Sequence, residues 1–253
     1  MTGDRTRVDI HVKVLDEGVV SRAIDAGLDV LVYAPHFTHI ETARERARRY
    51  STEELLVVPA REYFTGHWSN RKHVLAIDPD DPLPDFLPLH STMTELRDRE
   101  ETVIAPHPGF LTVSLDGDEI EAYADVIDAV EVRNPKLLPW DRNRAEVIAA
   151  DRDLPALASS YAHLPGTVGA AWVEFERSID SAAALCAAIE AGAPASIEYR
   201  TGPRAWLRRR MEFAHLGWEN TVKKADRVLL QDREATHPHD ERYGEHYWKL
   251  SVY

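Results

Sequence analysis

The sequence predicts an α/β barrel, and three observations carry the prediction. Apolar strand-like runs alternate with amphipathic helical stretches along most of the chain, the signature of βα units around a parallel sheet. The length, 253 residues, suits one barrel, since about 250 is ordinary for that architecture. No glycine-rich phosphate loop follows the first strand, which argues against an open dinucleotide-binding sheet.

The elements follow in order. Arg7–Val14 (RVDIHVKV) alternates and reads as the first strand, with Asp9, His11 and Lys13 on one face. Gly18–Gly27 reads as a short helix closed by glycine. Leu28–Ala34 is a buried strand, and Thr38–Tyr50 a charged helix with Thr38 as N-cap and Glu41 completing a capping box. Leu55–Val58 is a strand closed by Pro59 that delivers Glu62 past its end, and a further apolar run, His73–Ile77, opens on a histidine. The Pro- and Asp-rich stretch 78–89 reads as a loop, and Ser91–Glu101 as a capped helix. Strands at Thr102–Ala105, Ala129–Arg133, Pro155–Ser159, Val168–Phe175 and Ala195–Tyr199 alternate with helices from about Asp118, at Trp140–Asp153 and at Ser181–Gly192. Residues 1–202 form the expected barrel. Residues 203–253 form a helical appendage packed on it, with one long helix or two across Pro203–Leu230.

Composition narrows the function classes. The formal net charge of −13 argues against a stable nucleic-acid partner, which would call for a basic face. No apolar run approaches the ~20 residues of a membrane span, and the N-terminus has no signal-like apolar core. Cys186 is the only cysteine and reads as a small buried hydrophobe, so a disulfide framework within the monomer is excluded. A cytoplasmic protein is expected. Lys occurs only at Lys13, Lys72, Lys136, Lys223, Lys224 and Lys249, and an acidic, Lys-poor surface suggests halophilic adaptation, because salt screens the self-repulsion of such a charge.

The chemistry is concentrated at strand ends, where barrels place catalytic residues. His11, His36, Glu62, His73, His107 and His163 recur there. Imidazole nitrogen and carboxylate oxygen together suit Zn, Mn or Fe as divalent ions. Arg61, Arg71 and Lys72 flank Glu62 and His73; a phosphoester needs such cations, and Arg71 is the one expected to serve it. Asn134 and Lys136 are further candidates for substrate contact.

In this order and number, the motifs Asp9-Ile10-His11, His36, Glu62, His73, His107 and His163 resemble the PHP (polymerase and histidinol phosphatase) superfamily, over roughly residues 7–176. The resemblance implies a distorted seven-stranded β/α barrel and metal-dependent phosphoesterase activity. In that family the opening motif carries a second histidine, an acid precedes the second motif, and the final motif carries an aspartate. Here those positions hold Lys13, Pro35 and Tyr161. Two of the four ligands of the family's first metal are therefore replaced, by Lys13 and Tyr161. The ligand set of the second, Glu62, His73 and His107, is complete. A third would draw on His36 and His163, helped by Asp16 or His39.

The expectation is thus a hydrolase that binds one or two divalent ions and cleaves a small phosphorylated or nucleotide-like substrate, with Lys13, Tyr161 and Arg71 in catalytic roles. Its rival is a degenerate, non-catalytic barrel that binds a ligand or partner. An RNA-associated barrel, like a protein subunit of RNase P, is disfavoured by the acid excess and the retained histidines. If the acidic composition is an adaptation to salt, the melting temperature will rise between dilute buffer and molar potassium chloride; a flat or falling trend would count against it.

Overall fold

A computed structural model describes residues 5–36, 38–66, 70–80, 83–110, 113–218 and 221–222. In chain order the elements are β1 (Thr6–Val12), α1 (Glu17–Ala26), β2 (Val30–Tyr33), α2 (Ile40–Tyr50), β3 (Leu56–Thr65), β4 (Lys72–Ile77), α3 (Leu89–Asp98), β5 (Thr102–Ala105), α4 (Gly117–Ala122), β6 (Ala129–Arg133), α5 (Pro139–Asp151), β7 (Ala156–Ala158), β8 (Ala171–Phe175), α6 (Ala182–Glu190), β9 (Ala195–Tyr199) and α7 (Pro203–Trp218). The strands form one sheet in the order β7-β6-β5-β4-β3-β2-β1-β8-β9. Beyond β7 the chain returns to β1. A parallel bridge joins Val12 to Ala162, and the Lys13 amide donates to the Ala162 carbonyl at 2.9 Å. β1 is thus shared, its first half pairing with β8 and its last residue with the segment after β7, which nearly closes β1–β7 into a barrel.

The sheet departs from the all-parallel expectation at β8, which runs antiparallel to both β1 and β9, and again at β4. β4 runs antiparallel to both β3 and β5. The connection 66–71 is too short for a parallel crossover, which needs about a dozen residues or more, so β3 and β4 can only form a hairpin. The reversal has a chemical consequence. His73 opens β4 opposite Phe64, so it sits at the same end of the barrel as the C-terminal ends of its parallel neighbours.

β3 also runs through Pro59 to Thr65 rather than stopping there, which puts Glu62 inside the strand. Proline is tolerated because Pro59 is a hand-over point. Tyr33 opposite Pro59 is the last β2–β3 pair, and Ala60 opposite Ile77 begins the β3–β4 ladder, so no ladder bond needs the missing N–H.

A bulge decides what β1 presents. Val8 and Ile10 pack in one core cluster with Val30, Val32, Val58 and Ala60, whereas Leu31, Tyr33 and Val57 pack in another with α1 and α2. The β1–β2 register shifts between Asp9 and Val12, and Val12 joins the second cluster. The extra residue reverses the alternation, so Asp9 and His11 do not share a face. Beyond the bulge His11 and Lys13 turn inward with Glu62.

Helix ends account for the remaining differences. Gly27 closes α1 at φ 76°, where glycine is unstrained, and Asp16 caps it by accepting from the Val19 amide. α2 begins at Ile40; Thr38 is not its cap, since its hydroxyl donates to the His36 carbonyl at 3.1 Å. α3 spans Leu89–Asp98 without a side-chain cap, while α4 has a full capping box from Asp116 and Glu119. α7 ends at Trp218; the rest of the expected helix to Leu230 lies almost entirely outside the described residues.

Gly169 offers a test of the closure. It has φ +69°, and a Cβ there would lie 2.7 Å from the Ala26 Cβ. Gly169→Ala is expected to cost about 1–3 kcal/mol, read as a lower denaturant midpoint at unchanged m-value.

Candidate metal centre

Glu62 is fully buried at the inward face of β3, and its carboxylate gathers groups from four other segments. Oε2 accepts from the Lys13 ammonium at 2.6 Å and lies 2.8 Å from His36 Nε2. Oε1 lies 3.1 Å from His107 Nε2, 3.3 Å from His73 Nδ1 and 3.6 Å from His11 Nε2. Lys13 is itself fixed by a second bond, to the Ala34 carbonyl at 2.7 Å. Burial alone would push the Glu62 carboxyl up, but Lys13, His73, His11 and the His107 hydrogen bond hold it well below the usual range. The His11, His36 and His73 imidazoles are pushed down chiefly by burial, His11 to about 4 and His36 to about 3, with Lys13 adding to the effect. They are neutral at pH 7, the form that ligates metal.

The donor set fits a divalent ion. Ligand atoms of Glu62, His73 and His107 lie within 4.8 Å of one another, and so do those of His11, His107 and Glu131. Neither ring nitrogen of His11 or of His73 has a hydrogen-bond partner, although both rings are buried. Buried polar atoms are rarely left so, and an ion would satisfy them. Of the two groups the first is better suited. His107 Nδ1 is engaged by Ser114 Oγ at 2.9 Å, which leaves Nε2 for the Glu62 side. Glu131 is committed elsewhere. Its Oε2 accepts from the His107 amide at 2.8 Å and its Oε1 from the Ser159 hydroxyl.

Glu131 had no assigned role in the sequence reading, yet it shapes the mouth. His107 and Tyr161 have φ of 37° and 45°, a region disfavoured for residues with a Cβ. Glu131 holds the His107 amide directly. It holds the Tyr161 amide through Ser159, whose Oγ accepts from Tyr161 N at 3.0 Å. The Tyr161 ring then lies between the rings of His11 and His107, at centroid distances of 4.7 and 4.9 Å.

The remaining predicted residues divide. His36 is at the mouth, its side chain 30% exposed, while the others around Glu62 are nearly sealed, so access is from the His36 side. Asp9 is not at the site; its carboxylate accepts from the Ser160 and Gly169 amides at 2.8 and 3.1 Å. Asp16 is spent on capping α1 and His39 is exposed, so neither assists. Arg61 pairs with Asp85, and Lys72 with Glu119 at 2.8 Å. The Arg71 guanidinium lies over the Phe86 ring at 4.2 Å, and Phe86 in turn neighbours Phe64 beside His73.

His163 belongs to a second buried network. Lys136 Nζ lies 2.6 Å from His163 Nδ1, donates to the Tyr161 carbonyl at 2.6 Å, and pairs with Glu212 Oε2 at 3.2 Å. An ammonium donating to Nδ1 places the ring proton on Nε2, where it opposes metal ligation. Lys136 is wholly buried in this network, and Asn134 caps its turn, accepting from the Lys136 and Leu137 amides. Glu212 is the buried residue of α7, and its Oε1 accepts from the His163 and Leu164 amides at 3.0 and 2.9 Å and from the Thr167 hydroxyl. The carboxylate in Arg-rich α7 carried no periodic signal, and only its depth reveals it.

Comparison with known proteins bears on the fold. A family model described as PHP-associated matches residues 139–194. No curated protein sequence matches the chain. Among solved structures, PsfC from Pseudomonas syringae superposes with TM-score 0.65 at 19% identity, covering 84% of this chain and 99% of that one. The lesion-specific endonuclease PfuEndoQ from Pyrococcus furiosus gives TM-score 0.59 at 15% identity, over 77% of this chain and 58% of its own. A protein from Bifidobacterium adolescentis, proposed to be a metal-dependent phosphoesterase, gives 0.50 at 17% identity, over 63% of this chain and 88% of its own.

Removing Glu212 strands a buried ammonium. Glu212→Ala is expected to destabilise the fold by about 3–5 kcal/mol in urea denaturation, and Glu212→Gln, which keeps an acceptor for the amides, by less.

Proposed function

We propose that this chain, a barrel of the PHP type, is a metal-dependent phosphoesterase acting on a small phosphorylated or nucleotide-like substrate, with Glu62, His73 and His107 holding one divalent ion. The observation that carries the reading is the Glu62 carboxylate, buried among imidazoles whose ring nitrogens on His11 and His73 have no hydrogen-bond partner. An ion bound there would supply Lewis acidity toward a phosphoryl oxygen and a lowered pKa for water.

The chain's own residues do the rest. Lys13 stands where the family resemblance places a ligand of another metal, and its ammonium is held by two short bonds, one to Glu62 and one to the Ala34 carbonyl. It brings one positive charge to a place where an ion would bring two, and it is positioned to oppose the charge of an arriving phosphate. Substrate enters over His36, the exposed member of the group. Phe64 and Phe86 wall that side, and Arg71 on the Phe86 ring offers the cation for a phosphate at the entrance. Tyr161, its ring tilted against those of His11 and His107, packs both imidazoles and brings a phenol, a hydrogen-bond donor, to the site. His11 lines the pocket behind Lys13, and a second ion would draw on it.

The second reading is a non-catalytic barrel. It is favoured by one observation: the Lys13 ammonium already neutralises one oxygen of Glu62, so the carboxylate is satisfied in part without any ion. Among the described residues no helix is long and apolar enough to cross a membrane.

Metal analysis separates the readings. Wild-type protein is expected to bind one or two ions per chain, and His107→Ala to lose the ion held by Glu62 and His73. The paired change Lys13→His with Tyr161→Asp is expected to gain an ion. Wild-type metal content in His107→Ala, or no gain in the double variant, would sink the assignment. Metal binding without turnover of phosphomonoesters, dinucleotides or nucleoside bisphosphates would favour the non-catalytic barrel.

A further inference from the structure

The chain is strongly acidic, yet among the described residues one cavity is lined with cations and no carboxylate. It lies between α7 and the ends of β6, β8 and β9, holds about 270 Å³, and is bordered by Arg22, Arg133, Arg142, Arg200, Arg208 and Arg209. None of Glu62, His73 and His107 borders it, so it is distinct from the metal centre.

The arginines are built in. Arg200 donates to the Gly169 and Ala26 carbonyls at 3.0 and 2.9 Å, and Arg209 to the Leu137 carbonyl at 3.1 Å. Arg133 stacks on the Tyr199 ring at 3.3 Å. These contacts fix the guanidinium groups without neutralising them. Among the described residues, the ion pairs of this group amount to Arg142 with Glu146 at 3.7 Å. Arg22 Nε is buried without a hydrogen-bond partner. Its guanidinium is pushed down by burial and by Arg208 and Arg200, with Asp25 opposing in part. Like charges held together at a cost to the fold make sense where an anion completes them.

The cavity also has flat apolar surface. Trp206 and Tyr199 border it, 58% and 45% exposed. Thr201 and Gly202 lead into the first turn of α7 on the same wall, so the helix dipole adds to the attraction for an anion. Guanidinium groups suit phosphate oxygens through paired N–H donors, and an exposed indole suits a planar ring. We infer that this cavity binds a small organic phosphate bearing a flat ring, with the phosphate on Arg22, Arg200 and Arg208 and the ring against Trp206 or Tyr199. The site adjoins the Lys136–Glu212 network through two lining residues: Asn134 caps the Lys136 turn and Thr167 donates to Glu212.

Calorimetric titration of the full chain with AMP and with inorganic phosphate, each with and without EDTA, tests the inference. AMP should bind one per chain in EDTA, and more tightly than phosphate. Arg22→Gln with Arg208→Gln should weaken AMP by about tenfold or more, Arg142→Gln by a smaller factor, and Arg48→Gln on exposed α2 should leave it unchanged. Arg142→Gln carries the test if the double variant does not fold. No AMP binding, equal loss in Arg48→Gln, or binding that disappears in EDTA and in His107→Ala while the arginine variants retain it, would overturn the proposal.

Discussion

The structure depends on burying one carboxylate at the mouth of a barrel. Glu62 has no exposure, and an isolated charge in such a place would be prohibitively unfavourable. It is tolerated because Lys13 from β1, His36 after β2, His73 from β4 and His107 after β5 all converge on its two oxygens. The hairpin of β3 with β4 is what brings His73 to the same end as the others. The bulge in β1 is what turns His11 and Lys13 inward. These two departures from a regular parallel barrel therefore serve this one group.

The same constraint recurs in two further carboxylates. Glu131 and Glu212 are also wholly buried, and each ties backbone to backbone across elements. Glu131 joins the turn after β5 to the turn after β7 and holds the two left-handed residues, His107 and Tyr161, against their conformational preference. Glu212 joins α7 to the segment 163–167 and to Lys136. α7 is more than an appendage in this respect, since its single buried carboxylate fixes the neighbourhood of Tyr161 and His163. The groups that could ligate a metal are thus oriented by a surrounding layer of acceptors, as metal sites require.

Charge is also distributed with purpose on the larger scale. A chain with an acid excess keeps a lysine on Glu62, a lysine on Glu212 and a group of arginines along one cavity. The two lysines are neutralised in the fold by buried partners. The arginines of the cavity are held mainly by carbonyl oxygens and an aromatic ring, which fix position and leave charge available to a ligand.

Much of this was legible in the sequence. Alternating apolar runs gave the element order, because burial of one face leaves a periodic trace. The recurrence of His11, His36, Glu62, His73 and His107 at strand ends pointed to side chains that the fold does bring together around Glu62. What the sequence could not give was direction and depth. Asp9 and His11 are two residues apart and look alike on an ideal strand, but a single extra residue in the ladder sends them to opposite faces. His163 carries the same chemistry as His107, and only the arrival of Lys136 from another turn removes its Nδ1 from consideration. Glu131 shows only as a carboxylate within the apolar run Ala129–Arg133, and Glu212 has no periodic signal. Sequence spacing fixes which groups can exist near a strand end, whereas pairing register and long-range contacts decide which of them meet, and those are properties of the closed barrel alone.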